Sequence, residues 1–583
     1  MHILDLIRNY LMMQFIKTVA RLVIILILPT LAFSQSTYLP QGSQFEHFLD
    51  RIGIKMQTNP DLNIFTCKPI SRKVAVEVTE QADSLSAIYP YGEVYHLDKT
   101  DQDNAQSLLV NNSEWVKGSQ ASFQSKHPVW NAIYKTKANF FEVNEKDFFL
   151  AVNPVLQFQL SNQTGNPEQV YLNSKGLTFR GKIADHLGFS SFITDNQERG
   201  PDFFTDRVYA SGYPAVPGEG YFKHFKNSAT AFDYWDARGS IDFDFWKYFT
   251  LQFGYDKNFI GNGYRTLYVS DYAAPYLFLK LNLRIWKINY QNILMELTSQ
   301  HLPGDYLYPK KYAVVHHLSV NVTKWLNIGL YGNIAFGGAN QFEFSYLNPV
   351  IFLPAAQQQN GSPDKTTIGF DFKANIAHSV QAYGELLFNE FVWSQITHYS
   401  DGWWGNKQGL QLGVKYIDMF RVKNLDLQVE MNVMRPYTYA HNDTVANWSH
   451  YNQPLAHPFG ANFFELIGIL RYQPAYRWNI ELKCIYNKQG LDSAGENFGS
   501  NVLVNYDTRP RDYGFYIGSG IPKTIVNTTA YLSYQALENL FLEGTIMYRT
   551  TRTVDPAAGI LTSKSTTFTF GIRLNMFRRQ YDY

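Results

Sequence analysis

From about Phe148 onward the chain alternates apolar and polar residues with a period of two, the pattern of strands wetted on one face only. In Asn424–Met434, Leu425, Leu427, Val429, Met431 and Val433 point one way, and Asp426, Gln428, Glu430 and Asn432 the other. In Phe249–Asp256, Phe249, Leu251, Phe253 and Tyr255 alternate with Thr250, Gln252, Gly254 and Asp256. The last strand sets Phe568, Phe570, Ile572, Leu574 and Met576 against Thr569, Gly571, Arg573 and Asn575. Lys182, Asp242, Asp244, Lys373 and Glu543 all fall on the polar register. Two stretches break the rule. The parity slips near Asn292, which predicts a β-bulge, and Thr524–Ala536 alternates poorly.

About 18 candidate strands can be placed, the even number that a single-chain membrane barrel requires. Short connections fall near Asp185-His186, Trp246-Lys247, Trp286-Lys287, Lys324-Trp325, Ala377-His378, Gln473-Tyr476 and Glu538. Between them lie long ones, such as Asn196–Asp236, Gly337–Thr366 and Arg435–Asn462. Short periplasmic turns alternating with long extracellular loops characterise outer-membrane barrels, whereas a soluble sandwich has no reason for that asymmetry. Trp246, Tyr248, Trp286, Trp325, Tyr476 and Trp478, beside the short turns, are expected to form an interfacial girdle.

The first part of the chain has a different texture. Lys17 and Arg21 precede the apolar run Leu22–Leu28, and Leu31-Ala32-Phe33-Ser34-Gln35 follows it. This is the pattern of a secretory signal, expected to cover residues 1–34. Residues 35–145 read as a mainly helical domain on the periplasmic side. Apolar spacing at Phe48, Leu49, Ile52 and Ile54 predicts a helix over Phe45–Met56. Ser71 is placed to cap a second through Ala82, and Asp101–Val110 predicts a third. Residues 146–583 are then the all-β barrel, in the outer membrane and surrounded by its lipid.

Composition agrees. Aromatics reach 16% and charged residues only 17%, below the roughly 25% of soluble domains, while mean hydropathy stays at −0.26. A formal net charge of +1 gives no reason to expect nucleic acid. Cys67 and Cys484 are far apart and have no metal-ligand spacing, so neither a metal nor another cofactor is expected.

No catalytic motif is present. Gly261-Asn262-Gly263 follows a strand with no helix after it and reads as a turn. His316 and His317 are neighbours on a strand and must face opposite ways; His441, His450 and His457 share one loop. Asp242 and Asp244 share a face, a minimal requirement for glycoside hydrolysis, but lumenal carboxylates more often pair with cations such as Arg180, Lys182 or Lys257. The long loops concentrate Tyr399, Trp403, Trp404 and Trp448 among amides and carboxylates. Flat rings beside polar groups suit a sugar, which has an apolar face and a hydroxyl rim. With Asp256 and Lys257 at a strand end, these residues are the candidate polysaccharide-binding set. A diffusion porin is the alternative reading.

Several short motifs, taken together, resemble those of Wzi-like capsule-assembly proteins. They are Pro69-Ile70-Ser71-Arg72 opening a helix, Phe253-Gly254-Tyr255-Asp256-Lys257 followed by Gly261-Asn262-Gly263, and Tyr346-Leu347-Asn348-Pro349-Val350. With Val152-Asn153-Pro154-Val155, Asp195-Asn196-Gln197 and Leu455–Phe463, the combination is most similar to the related RemB-like gliding-motility proteins. The resemblance departs at Tyr255, where the family pattern has Arg. It implies an 18-stranded outer-membrane barrel with a periplasmic helical bundle and a non-enzymatic role at the cell surface. That role would be capsular polysaccharide retention or gliding motility, with surface polysaccharide and other motility or export proteins as partners.

Overall fold

The computed structural model describes residues 36–57, 64–88 and 96–583, apart from 127, 129–132, 185, 246–247, 300–308, 338–341, 351, 362–363, 391, 444 and 494. The expected signal segment and Trp246 lie outside the described residues. Among those described, 18 antiparallel strands close a barrel. They are β1 (Phe148–Gln163), β2 (Val170–Ile183), β3 (Leu187–Arg199), β4 (Phe232–Phe245), β5 (Phe249–Asp256) and β6 (Tyr276–Ile285). Next come β7 (Ile288–Thr298), β8 (Lys310–Asn321), β9 (Leu326–Phe336), β10 (Lys365–Ile376), β11 (Val380–Glu390) and β12 (Lys407–Tyr416). The last six are β13 (Leu425–Met434), β14 (Phe463–Ala475), β15 (Trp478–Leu491), β16 (Ile521–Leu537), β17 (Leu540–Asp555) and β18 (Gly559–Leu574). β18 pairs with β1, Phe570 opposite Leu160, and the sheet has no free edge.

The wall is turned inside out relative to a soluble protein. Leu160, Phe253, Leu330, Phe370, Leu412, Ile546 and Phe570 are exposed on its outer face, while Gln411, Glu430, Asn432, Glu465 and Asn487 are buried on its inner face. Exposed Tyr248, Trp286, Trp325 and Trp478 ring the short-turn end. Tyr476 does not join them. Its hydroxyl donates to Glu538 at 3.0 Å.

Among the described residues, the short turns at Trp286-Lys287, Lys324-Trp325, Ala377-His378 and Glu538 fall at the expected sites. At Ala377-His378 both residues take positive φ, 51° and 56°, as a two-residue hairpin needs to match the strand twist. The His378 imidazole nitrogen Nδ1 meets the Lys55 carbonyl at 2.7 Å, so the turn is held by the helical segment rather than by an Asn-Gly signal.

Two irregularities resolve differently from expectation. No bulge occurs at Asn292, because β6, β7 and β8 pair residue for residue. Asn292 faces outward beside His316, at 3.1 Å. Residues 342–350 and 352–360 fold over this outer face, packing Tyr346, Leu353 and Ala356 on Val314, Ile334 and Phe336, and Tyr290 donates its hydroxyl hydrogen to the Pro349 carbonyl. A strand whose outer face is covered by protein can carry polar residues there. The poor alternation of β16 has another cause: Ile525 points inward and joins the apolar cluster beneath the long loops. β18 stops at Leu574, two residues short of the expected alternation, where Asn575 adopts φ 51°.

Three segments occupy the lumen. The first is N-terminal. Helices α1 (Gln44–Met56), α2 (Arg72–Ile88) and α3 (Lys99–Asn111) pack together through Phe48, Leu49, Ile52, Val76 and Leu108. Asp98 and Asp101 form a reciprocal capping box on α3. From this bundle Cys67-Lys68 reaches into the barrel and pairs with Phe259-Ile260, and Lys373 of β10 donates to Thr66 at 3.3 Å. The second is the β5–β6 connection, which folds inward. Its Tyr264 and Arg265 amides donate to Glu430 of β13 at 2.6 and 3.0 Å. Gly263 cannot take a side chain here, since a Cβ would sit 2.6 Å from the Arg265 carbonyl oxygen, and Gly261 holds a φ of 154°. The third is the stretch after β18. Residues 575–583 turn back inside, and Arg578, Arg579 and Asp582 ion-pair with Glu481, Glu198 and Lys483 of the wall.

Candidate functional site

At the long-loop end the loop between β11 and β12 is stitched to the one between β15 and β16. The Trp404 amide donates to the Asp512 carbonyl at 3.0 Å, the Gly514 amide to Asp401 at 2.9 Å and the Phe515 amide to Gly402 at 2.8 Å. Arg435, from the β13–β14 loop, ties the set together. Its Nε donates to the Asn406 carbonyl at 2.7 Å, and Nη2 to those of Trp403 and Phe515 at 3.1 and 3.2 Å. Three loops distant in sequence thus present one rigid surface.

That surface interleaves rings and cations. Trp403 and Trp404 have centroids 6.0 Å apart, and Tyr506 lies 4.9 Å from Trp404. The Arg509 guanidinium stacks 3.9 Å over Trp404, Lys407 lies 3.9 Å over Tyr506, and Arg435 lies 4.8 Å over Tyr399. Such cation–ring contacts are strongest where water is excluded. With Trp404 half-buried under Arg509, the accessible rings are Tyr399, Tyr513 and Tyr516, at 44, 49 and 50% exposure. Tyr516 donates to the Ser400 carbonyl at 2.7 Å, which fixes it beside Tyr399.

Of the expected site residues, Tyr399, Trp403 and Trp404 come together here. Trp448 is buried in the apolar cluster under the loops, its indole nitrogen donating to the Tyr268 carbonyl at 2.8 Å. Asp256 and Lys257 lie inside the lumen instead, where the Lys257 ammonium donates to the Gly218 carbonyl at 2.7 Å. Tyr255 points out of the barrel and is 47% exposed. Tyr506, Arg509 and Arg435 escaped the sequence reading. They stand in other loops, and no local pattern joins them to Trp403-Trp404.

The other candidates separate as well. Arg180 pairs with Glu114 of the helical region at 2.9 Å rather than with Asp242 or Asp244, and Lys182 lies 4.9 Å over the Trp115 ring. His316 and His317 do face opposite ways; His317 bridges Cys67 at 3.5 Å and Asp371 at 2.9 Å inside the barrel. His450 sits between the Thr298 amide and the Pro275 carbonyl, while His457 meets Glu465 at 2.8 Å. No metal-binding group of His, Cys, Asp and Glu occurs among the described residues.

A closed antiparallel wall, apolar outside and polar within, defines an outer-membrane-type β-barrel. Among solved structures the chain resembles Wzi of Escherichia coli, described as an outer-membrane protein involved in group 1 capsule assembly and a carbohydrate-binding β-barrel. The two share 12% identity at a TM-score of 0.55, over 93% of this chain and all of that one. OprD of Pseudomonas aeruginosa aligns at 10% identity and a TM-score of 0.39, over 73% of this chain and 94% of its own. OccAB4 of Acinetobacter baumannii aligns at 10% and 0.40, over 74% and 98%. The sequence matches no protein-family profile and no curated protein. The likeness to Wzi bears out the barrel that the sequence motifs implied.

Proposed function

We propose that this chain is a non-enzymatic surface protein of the outer membrane that associates capsular or other surface polysaccharide with the cell. The observation that carries this reading is the filled lumen. With an N-terminal segment, an inward loop and a folded-back tail inside the wall, the molecule is built to present its loops rather than to pass solutes. The aromatic and cationic surface around Tyr399, Trp403 and Tyr516 is the glycan-facing part. The carbohydrate binding described for Wzi, on the same fold, supports the assignment. Short turns and the helical bundle then face the periplasm, and the long loops face the exterior. Gliding motility, implied by the RemB-like motifs, is the finer reading of the same role: adhesion through surface polysaccharide would give a moving cell its grip.

Each ring–sugar stack contributes on the order of 1 kcal/mol, by analogy with other aromatic contacts, so retention depends on several together. The test is glycan retention by cells carrying Tyr399→Ala, Trp403→Ala and Trp404→Ala in one chain, with barrel assembly verified by heat-modifiable electrophoresis. Loss of retention is expected, and unchanged retention removes this surface from the proposal. Planar-bilayer recording separates the alternative, since a large steady conductance from the intact protein would make it a porin. Deleting the gene and scoring both capsule retention and surface spreading distinguishes the two finer roles.

A further inference from the structure

Inside the barrel, between α1, the inward β5–β6 loop and the folded-back tail, lies a cavity of about 450 Å³. It runs from Gln473 and Asn479 at the short-turn rim to Gly218 and Tyr272 beneath the long loops. This volume falls within the range of small-molecule sites. The charge of its lining is lopsided, with ten Lys and Arg side chains against six Asp and Glu.

Most of those cations have a partner. Lys68 pairs with Glu46 at 2.7 Å, Lys415 with Asp50 at 2.6 Å and Arg265 with Asp582 at 3.4 Å. Lys257 differs. It is buried, and its ammonium donates to the Gly218 carbonyl, with no carboxylate within ion-pair distance among the described residues. Burial and the neighbouring Arg238 lower its pKa to about 8. The nearby Glu219 is engaged elsewhere, its carboxylate meeting the Arg579 guanidinium at 3.5 Å. Four polar atoms on the same lining, Ser43 Oγ, Gln41 Oε1, Arg265 Nε and the Tyr583 hydroxyl oxygen, are buried without a hydrogen-bond partner. Buried polar atoms are nearly always satisfied in folded proteins, so these atoms are available to a polar occupant of the cavity. Ser43 is also the N-cap of α1 and makes no side-chain cap bond. The start of a 13-residue helix, with its positive dipole end, therefore opens onto the cavity.

We propose that this cavity is a second binding site, separate from the loop surface, for a small polyanion reached from the short-turn end. A sulfated or uronic-acid oligosaccharide and a phosphorylated sugar share the required chemistry. Anionic oxygens would take the Lys257 ammonium, Arg265 Nε and the first amides of α1, and a hydroxyl would reach Ser43 Oγ and Gln41 Oε1.

The test is calorimetric titration of the full-length mature protein in neutral detergent at low salt. The probes are a sulfated uronic-acid disaccharide, inorganic pyrophosphate and, as the uncharged control, lactose. Saturable binding of at least one anion is expected, at least tenfold weaker in Lys257→Gln, with none for lactose. If both anions bind, charge alone suffices; if only the disaccharide binds, the sugar ring contributes. No binding by either anion, equal binding of lactose, or undiminished affinity in folded Lys257→Gln overturns the proposal. Should Lys257→Gln fail to fold, Ser43→Val decides: a threefold or greater loss supports the site, and an unchanged affinity refutes it. The same titrations run in the Tyr399→Ala/Trp403→Ala/Trp404→Ala background remove any contribution of the loop surface, so failure of the cavity site and failure of the glycan-binding reading are told apart.

Discussion

The guanidinium of Arg579 grips both carboxylate oxygens of Glu198, a residue 381 positions earlier in the chain, with Nη2 to Oε2 at 3.0 Å and Nε to Oε1 at 3.1 Å. Glu198 belongs to the inner face of β3 and is fully buried. Tyr234 and Tyr581 each donate a hydroxyl to it at 2.6 Å. This is the firmest point at which the tail after β18 is held within the lumen.

Breaking that pair by removing one partner leaves a buried charge without compensation. Such losses cost about 3–5 kcal/mol in buried ion pairs. Arg579→Met is therefore expected to lower the urea midpoint of the detergent-solubilised barrel by a corresponding amount. The double variant Arg579→Met/Glu198→Gln should recover part of it, because the stranded charge is then gone. A double variant as unstable as the sum of the singles would show that the two residues do not act as a pair.

A second latch holds the helical bundle to the short-turn rim. Arg51 of α1 bonds Asp426 of β13, and also reaches Asp418 at 3.0 Å and Asp101 of α3 at 3.2 Å. Lys55 adds contacts to Asp101 at 2.5 Å and Asp418 at 3.0 Å. One arginine thus joins two helices to the wall. Arg51→Met should loosen the bundle without opening the wall. Trypsin digestion would then cut within residues 36–123 many times faster than in the unaltered protein, while the barrel keeps its heat-modifiable mobility. Equal cutting rates would mean that apolar packing alone holds the bundle.

The two loop tryptophan sites should respond differently. Trp448 is buried and bonded to the Tyr268 carbonyl, so Trp448→Ala is expected to cost about 3–5 kcal/mol of stability. Trp403 is half-buried beside Trp404, so Trp403→Ala should lower the midpoint less than Trp448→Ala does while weakening glycan binding about fivefold, the equivalent of roughly 1 kcal/mol. Binding isotherms and urea melts on both variants provide the comparison. A Trp448→Ala protein as stable as the original would contradict its burial.

How much of this could be read from the sequence follows from how local each signal is. The strand β5 spans Phe249–Asp256, as its alternation predicted, and β13 begins at Leu425, one residue from its expected start. Both walls of such strands meet uniform surroundings, lipid on one side and polar lumen on the other, so periodicity suffices. Helix α1 was equally legible from Phe48, Leu49 and Ile52. Asn292 misled because the cover over its face comes from residues 342–350 and 352–360, which no local pattern announces. Trp448 and Lys257 stand in or beside long connections, so Trp448 reads as part of the glycan-binding set and Lys257 as either that or a lumenal ion-pair partner. Those connections turn inward or pack under their neighbours, and composition does not encode that direction. Arg579 lies beyond the last alternating strand, and its pairing with Glu198 is legible only in three dimensions.

Acid should undock the bundle in two stages. His47 of α1 meets Asp426 at 2.9 Å. Burial depresses its pKa below the ordinary histidine value, more than Asp426 restores it. A depressed histidine stays neutral when docked and gains its proton when released, so docking weakens as pH falls below about 6.5. Asp418 and Asp50 act in a lower window. Burial raises both, but Arg51 and Lys55 outweigh it for Asp418, and Lys415 and Lys68 for Asp50, leaving each below the ordinary carboxylate range. Their contribution is complete above about pH 4 and is lost as pH falls through the depressed values. Trypsin is inactive in that range, so pepsin digestion and planar-bilayer conductance are the appropriate measurements there. Conductance should rise slightly between about pH 6.5 and 5 and steeply below about pH 4 as the bundle leaves the lumen. Residues 36–123 should become cleavable over the same interval. His47→Gln should remove the shallow decline in docking between about pH 6.5 and 5 while leaving the lower transition in place. A single transition unchanged by His47→Gln would show that Asp426 is served by Arg51 alone.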